Sequence, residues 1–171
     1  RATGFRRDTD GLIDFILLPA DTVFRARNLL TVAVQGVEVE GDALSGPVRL
    51  ALAYTFLDVN TEGLPAGAQA KYVLSNARHS LQGNLTLTRG PLTAGIQALV
   101  RDPYDDPAGT PTPRTDRPYG LVNVRAAYAL DAFRLPLTVT AEVRNAFDRR
   151  VAELYAPLPG RWWIFGVKMG R

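Results

Sequence analysis

Alternation of apolar and polar residues is the dominant pattern of this chain. It is strictest in the stretch Leu137–Arg144, where apolar residues hold the odd positions and polar or charged residues hold the even ones. A period of two predicts a β-strand whose two faces meet different surroundings. In a soluble β-sandwich the apolar face meets a core, whereas in an outer-membrane barrel it meets lipid and the polar face lines the lumen. Periodicity alone leaves both architectures open.

The same alternation predicts eight strands and no helix of consequence. The strands are expected at about residues 5–18, 22–40, 48–56, 81–88, 92–100, 122–128, 137–144 and 163–169. In the second strand the pattern changes phase, because Val32 and Val34 share one face whereas Val37 and Val39 share the other. We therefore predict a β-bulge near Gly36. Regular alternation with short turns predicts one antiparallel sheet of sequential hairpins.

The lengths of the predicted connections also alternate. Those after the second, fourth and sixth strands are short, at residues 41–47, 89–91 and 131–133, and those after the third, fifth and seventh are longer, at 58–74, 102–118 and 148–160. Short turns on one side and long loops on the other are typical of outer-membrane barrels. The first connection, predicted at residues 19–21, is short and departs from this pattern.

Composition narrows the possibilities only a little. The chain has 171 residues, enough for one domain, and no cysteine, so disulfides and thiolate metal sites are excluded. With 20 basic and 17 acidic residues, its charge is too balanced to indicate nucleic-acid binding. The chain has no apolar run of about 18 residues, so no membrane helix is predicted. Alternating strands can nevertheless cross a membrane without one. Export requires a signal peptide, and none is present, so we expect a part of a longer protein.

Polar residues in mid-strand positions suit a water-filled lumen better than the surface of a sandwich. The candidates for facing a lumen are Arg49, Arg125, Glu142, Arg144 and Lys168. Aromatic residues near strand ends suit the girdles found at membrane interfaces. The candidates for such girdles on the apolar faces are Tyr54, Tyr119, Tyr128, Trp162 and Trp163.

The stretch 102–118 is the richest predicted loop and is expected to face outward. Its candidates for contact with a ligand are Asp102, Tyr104, Asp105, Asp106 and Asp116. Several carboxylates suit calcium, but their spacing does not match an EF-hand, so no metal site is expected. His79, the single histidine, is expected to be a rim residue. With no nucleophile elbow and no phosphate-binding glycine loop, we expect neither an enzyme nor a cofactor.

The C-terminal stretch carries a more specific pattern. The sequence Asn145-Ala146-Phe147-Asp148 ends one strand, Pro157-Leu158-Pro159-Gly160-Arg161 follows, and a last strand begins at Trp162-Trp163. This arrangement resembles the C-terminus of TonB-dependent outer-membrane receptors, and Arg27-Asn28 followed by Gly36-Val37-Glu38 resembles an upstream segment of the same family. The residues that match at the C-terminus are Asn145, Phe147, Asp148, Pro159, Gly160, Arg161, Trp163 and Phe165. The family usually closes on an aromatic residue, whereas this chain closes on Gly170-Arg171, so we expect either a trimmed terminus or an unusual assembly signal.

The resemblance implies an all-β fold, an antiparallel up-and-down transmembrane β-barrel segment of about eight strands out of about 22. Residues 1–171 would be the C-terminal part of the barrel domain, without the plug domain or the segment that contacts TonB. The implied function is uptake of a scarce small-molecule ligand, such as a siderophore or cobalamin, across the bacterial outer membrane. The implied partners are membrane lipid, the remaining strands and the plug.

Two other architectures remain open at this point. A self-contained barrel of about eight strands would need about this length and would serve adhesion or envelope structure. A soluble β-sandwich would be a binding module. The sheet edges separate the first alternative from a wall segment: a small barrel joins its first and last strands in a ladder, whereas a segment leaves both unpaired. We expect the open sheet.

Overall fold

The computed structural model describes residues 1–28, 31–72, 76–103, 118–132, 135–153 and 156–169. Over these residues the chain is all-β, as predicted, and contains no helix long and apolar enough to cross a membrane. The strands are β1 (Ala2–Asp10), β2 (Ile13–Leu17), β3 (Arg25–Asn28), β4 (Thr31–Ser45), β5 (Val48–Glu62), β6 (Gln69–Ala70), β7 (Ala77–Arg89), β8 (Leu92–Pro103), β9 (Tyr119–Ala132), β10 (Leu135–Arg144), β11 (Ala152–Glu153), β12 (Ala156–Pro157) and β13 (Trp162–Met169).

Eight of these strands form the main sheet, in the order β1-β4-β5-β7-β8-β9-β10-β13. Every neighbouring pair is antiparallel. The ladder between β4 and β5 runs without a break from Thr31 opposite Glu62 to Ser45 opposite Val48. The order follows the sequence because each main strand pairs with the next main strand along the chain. The prediction of sequential hairpins is confirmed.

The connections between main strands alternate strictly in length. On one side of the sheet they are Gly46–Pro47, Gly90–Pro91 and residues 133–134. Gly46 and Gly90 have φ of 55° and 56°, the left-handed backbone that glycine permits at the start of a two-residue hairpin loop. On the other side the connections span residues 11–30, 63–76, 104–118 and 145–161. The first connection is therefore long, and the apparent exception at residues 19–21 disappears.

The first two predicted strands are wrong in their bounds. The predicted strand 5–18 breaks at Gly11, where φ is 67°, so that β1 ends before it and β2 begins a separate sheet after it. The predicted strand 22–40 divides into β3 and β4. The hydrophobic pattern could not reveal these breaks, because β2 lies in a nearly continuous apolar run, Leu12–Leu18, that is interrupted only by Asp14. They pair in the order β3-β2-β6 in a three-stranded sheet.

We call this three-stranded sheet and its flanking residues 12–28 and 64–72 the cap. Its Ile16 and Ala68 are buried against Val32 of β4, and partly buried apolar residues of both sheets pack around them, namely Leu12, Leu18, Val34, Val59 and Leu64. The cap therefore covers one face of β4 and β5 at the end with the long connections. We call the face of the main sheet that the cap covers the inner face, and the opposite one the outer face.

The predicted β-bulge at Gly36 is absent. Gly36 lies in regular register with Phe5 on one side and Leu57 on the other, and neither ladder shifts there. A Cβ atom at this position would clash with the carbonyl oxygen of Phe56 and would come within 2.7 Å of Cζ of Phe5, so glycine leaves room for both. The side chains of β4 therefore alternate between the two faces without interruption, and the change of pattern reflects a change in what surrounds each face. Val32 and Val34 point inward beneath the cap, whereas Val37 and Val39 point outward and are exposed.

The main sheet is open and staggered. In the described parts of the chain β1 and β13 each pair with one neighbour and not with each other, which agrees with the predicted open sheet. Trp163, near the start of β13, lies in the same cross-strand row as Leu50, near the start of β5. β5 then runs on to Glu62, so successive strands are displaced along their length. Tilted strands produce such a stagger.

Candidate functional site

The outer face is a continuous apolar surface. One cross-strand row joins Leu50, Leu85, Ile96, Val124, Val143 and Trp163 on six neighbouring strands. Parallel rows add further exposed side chains on the same face, including Val39, Leu52, Leu81, Leu87, Val100, Tyr128, Val139, Phe165, Val167 and Met169. Soluble monomers rarely expose an apolar patch of this extent, so the outer face needs a partner or a lipid environment.

The total surface agrees with an uncovered sheet. The chain exposes 11,748 Å², although a compact monomer of 18.7 kDa exposes about 8,300 Å². The excess arises because the only buried apolar cluster among the described residues lies beneath the cap. Within the described ranges, most of the main sheet therefore has no layer packed on either face.

The polarity of both faces reverses at the cross-strand row that contains Phe5, Gly36 and Leu57. We call this row the inversion row. Below it, toward the tight turns, the outer face of β5 is apolar as far as Phe56, and above it the outer face becomes polar at Asp58. The inner face changes in the opposite sense, since Leu57 and Val59 lie on the cap side. Exchange of polarity on both faces at one row marks a boundary between two surroundings.

The polar outer face above the inversion row carries side-chain pairs. Nε2 of Gln35 donates to Oδ2 of Asp58 at 2.9 Å, and the hydroxyl of Thr31 donates to Oδ1 of Asp10 at 2.9 Å. Nε of Arg6 lies 3.1 Å from Oδ2 of Asp8, and this hydrogen bond, with the charge of Asp8, raises the pKa of Arg6 above its ordinary value. These groups are exposed, so this part of the outer face is compatible with water.

An aromatic group lies on the outer face just below the inversion row. The hydroxyl of Tyr54 lies 2.8 Å from Nδ1 of His79, and the rings of Phe56 and His79 are 5.1 Å apart. His79 is thus a half-buried partner of two aromatic residues at the boundary. Side chains with an apolar body and a polar tip prefer such a boundary.

Three of the five predicted girdle residues lie on the apolar outer face: Tyr54, Tyr128 and Trp163. The prediction is wrong for Tyr119 and Trp162, which lie on the inner face by strand parity. Tyr119 is opposite Arg101, and the ring of Trp162 lies 5.1 Å from the guanidinium of Arg144. The aromatic character of a residue does not by itself show on which face of the strand its side chain lies.

The five residues predicted to face a lumen share the inner face. Arg49, Arg125 and Glu142 lie in one cross-strand row, Arg144 follows two positions after Glu142, and Lys168 is opposite Thr138. Nε of Arg49 is 2.9 Å from Oδ2 of Asp42, and Nε of Arg144 pairs with Oε1 of Glu142. The structure brings four of them onto neighbouring rows, while Lys168 lies nearer the tight turns.

A polar groove of about 340 Å³ runs along this inner face. It is lined mainly by Asn84, Gln97, Asn123, Arg125, Glu142 and Arg144. Nδ2 of Asn123 donates to Oε1 of Gln97 at 3.1 Å, which links two strands of the groove. A surface of amides and paired charges that faces away from the apolar side is suited to contact with water or a polar partner.

The C-terminal motif folds around Asn145. This residue has φ of 50° and is only 6% exposed. Its Nδ2 donates to the carbonyls of Arg149 at 2.8 Å and Pro159 at 3.2 Å, and its Oδ1 accepts from the Arg149 amide at 2.9 Å. Its backbone N–H donates to Oδ1 of Asn123 at 2.9 Å, which anchors the loop to β9. Asparagine suits this position because it tolerates left-handed backbone and can both donate and accept.

Asp148 completes this loop. It also has positive φ, 52°, and its N–H donates to the carbonyl of Asn145 at 2.8 Å. Its Oδ1 accepts from the N–H of Arg161 at 2.8 Å, immediately before β13. A Cβ atom on Gly160 would come within 2.9 Å of that oxygen, so glycine leaves room for the carboxylate. The motif residues therefore hold the two ends of the 145–161 connection together.

The aromatic members of the motif have different surroundings. Phe147 is 70% exposed at the loop. Trp163 and Phe165 stack on the outer face with ring centroids 6.3 Å apart and planes 4° from parallel. They extend the apolar outer surface to the last strand.

The predicted ligand loop is only partly described. Asp102 is not in a loop, because β8 continues to Pro103 by pairing with β7, and Asp102 lies opposite His79. The prediction for Asp102 is therefore wrong in its structural context. Tyr104, Asp105, Asp106 and Asp116 lie outside the described residues.

Sequence reasoning missed Asp14, the most deeply buried polar residue described. Asp14 is 2% exposed, and its carboxylate accepts from the N–H of Phe15 at 2.6 Å and from the N–H of Tyr72 at 3.1 Å. It thereby ties the connection 11–30 to the connection 63–76. The available signal was a single acidic residue within the apolar run from Leu12 to Leu18.

Comparison with known proteins adds no relative. The chain matches no protein-family model, and no curated protein is significantly similar to it. The resemblance of the C-terminal motif to TonB-dependent receptors therefore rests on the motif residues themselves.

Proposed function

We propose that the chain forms the C-terminal part of the β-barrel wall of a TonB-dependent outer-membrane receptor that takes up a scarce small-molecule ligand. The observation that carries this proposal is the inversion of both faces at one row. Lipid below the inversion row explains the apolar outer face, and water above it explains Gln35, Asp58 and Arg6. A soluble sandwich gives no reason for the two faces to exchange polarity at the same position.

The height of the apolar face supports a membrane span. On β5 this face runs from Val48 to Phe56. Nine extended residues measure about 30 Å, and a strand tilt of about 40° reduces their height to about 23 Å. Outer-membrane barrels carry an apolar band of about 25 Å.

The connections give the orientation. Short periplasmic turns and longer extracellular loops are the rule in such barrels. In this orientation Gly46–Pro47 and Gly90–Pro91 face the periplasm, and the cap lies at the extracellular end of the inner face. The inner-face residues Arg49, Arg125, Glu142, Arg144 and Lys168 then face the lumen or a plug domain supplied by the rest of the protein.

The open edges support membership of a larger wall. Unpaired backbone N–H and C=O groups in lipid cost several kcal/mol each, so β1 and β13 require neighbouring strands. A barrel of about 22 strands would supply them, and eight strands would span about a third of its circumference. The loop around Asn145, Asp148 and Gly160 favours TonB-dependent receptors among large barrels, since it matches their C-terminal motif.

Single nitroxide labels test the proposed membrane orientation. The chain has no cysteine, so one introduced cysteine gives one labelled site. In lipid, labels on the outer face at Val124, Val139 and Phe165 should collide with oxygen, whereas labels on the inner face at Asn123, Thr138 and Lys168 should collide with a water-soluble nickel complex. The reverse pattern, or a chain that does not associate with lipid, would contradict the proposal.

A further inference from the structure

A second pocket lies between the cap and the inner face of β1 and β4. Its volume is about 290 Å³, near the lower end of small-molecule sites, which range from about 300 to 1,000 Å³. Arg7 and Thr9 of β1 form one side, and Val32 and Val34 of β4 form the base. Ile13 and Tyr72 of the cap form the other side and are both largely exposed, at 69% and 49%.

Two charged side chains, Asp14 and Arg7, line the pocket, and they differ in their hydrogen bonding. The carboxylate of Asp14 accepts backbone hydrogen bonds from Phe15 and Tyr72. Arg7, in contrast, makes no hydrogen bond or ion pair in the part of the chain that the structure describes. Its neighbour Arg6 points to the opposite face and is paired with Asp8. Among the described residues, the guanidinium of Arg7 is therefore an uncommitted donor in a pocket that Thr9, Asp14 and Asn76 also line with polar groups.

We infer that this pocket binds a small aromatic carboxylate. The planar guanidinium of Arg7 matches a carboxylate with two parallel hydrogen bonds, and the hydroxyl of Thr9 lies on the same strand face. Tyr72, whose ring lies 5.2 Å from Nζ of Lys71 and 6.1 Å from the ring of Phe15, is 49% exposed and offers an aromatic surface. Ile13 and Val34 line the pocket with hydrocarbon. A small aromatic carboxylate would be the ligand class of the proposed receptor. Transport of this ligand across the membrane rests on the proposed function. Binding itself requires the pocket alone.

The test compares two probes of the same shape. 2-Naphthoate and the uncharged 2-naphthamide are titrated calorimetrically into the full chain in detergent micelles, with empty micelles as the blank. Saturable naphthoate binding should be at least about tenfold tighter than amide binding, because only the carboxylate forms charge-assisted hydrogen bonds with Arg7. Equal binding of the two probes, or no naphthoate binding, would overturn the inference without any variant.

Matched variants then assign the binding to Arg7. Arg7→Gln should lower naphthoate affinity to that of the amide, whereas Arg6→Gln, one position away on the opposite face, should leave it unchanged. An equal loss in both variants, or no loss in Arg7→Gln, would contradict the assignment. The nitroxide pattern of the main sheet does not depend on this pocket. Failed binding with an intact label pattern would therefore remove the ligand class and leave the proposed function standing.

Discussion

The two parts of β4 and β5 on either side of the inversion row share one regular backbone. They differ in which face carries the apolar residues and in what covers that face. Toward the tight turns the apolar residues Val37 and Val39 point outward and are exposed, and Phe56 points outward beside the ring of His79. Toward the long connections Val32 and Val34 point inward and pack under the cap. A phase change in an alternating sequence therefore reports a change of surroundings and needs no irregularity in the strand.

The stabilising layer also differs between the two parts. In the capped part the apolar side chains are covered by other residues of the chain, and a buried carboxylate, Asp14, fixes the cover. In the other part the outward-facing apolar side chains are largely exposed, and the proposed function places lipid against them. The capped part should therefore respond to changes in protein packing and hydrogen bonding, and the other part to changes in membrane compatibility.

The largest effect is expected from a charge on the lipid side. Val139→Arg places a cation on the outer face near the middle of the proposed span and should cost about 2–4 kcal/mol, because charged side chains are poorly solvated at that depth. Thr140→Arg, on the inner face of the same strand, should cost much less. Urea unfolding in lipid vesicles measures both. Equal losses for the two variants would remove the distinction between the faces.

A smaller effect, confined to the cap, is expected from Asp14→Ala. The substitution leaves the N–H groups of Phe15 and Tyr72 without their carboxylate acceptor, at a cost of about 1–3 kcal/mol. Hydrogen exchange should accelerate at Tyr72 and around Ile16, while the ladder between β7 and β8 keeps its protection. Asp8→Ala is the matched control, because it removes only an exposed ion pair. Uniform acceleration over both sheets would show that the cap is not a separate unit.

The smallest effect is expected on the outer face above the inversion row. Asp58→Asn weakens one exposed hydrogen bond from Gln35, so the free energy of unfolding should change by no more than about 1 kcal/mol. Leu52→Asn, on the same face of β5 below the inversion row, should cost more, because it places an amide in lipid. The same unfolding assay compares them, and a larger loss for Asp58→Asn would contradict the position of the boundary.

Much of the main sheet could be predicted from the sequence because hairpins between neighbouring strands depend on local alternation and turn residues. The strands from Val48 to Met169 and their order follow from these signals. The cap could not be predicted, since its β2 pairs with β6 across a long separation and lies in an apolar run rather than in an alternating stretch. The inner-face set was found by parity, whereas Tyr119 and Trp162 were misplaced because aromatic character was read without parity.

The C-terminal loop illustrates a different limit. Its sequence indicated a family resemblance, but not why these residues are needed there. The structure supplies a physical reason. Asn145 adopts a left-handed backbone, and its side chain hydrogen-bonds to the backbone of Arg149 and of Pro159. Gly160 leaves room for the carboxylate of Asp148. Arg7 could not be recognised from the sequence, because an arginine that lacks a partner among the described residues has no sequence signature and is identified only by its position beside the cap.

A depth profile along β5 tests whether the inversion row is a membrane boundary. Nitroxide labels are placed singly on the outer face of β5 at Leu50, Leu52, Phe56, Asp58 and Asn60, and the collision rates with oxygen and with a water-soluble nickel complex are compared in lipid. If the inversion row marks the membrane boundary, the ratio of oxygen to nickel collisions stays high through Phe56 and falls sharply at Asp58. A ratio that is constant along the strand, or that falls before Leu52, would contradict the account.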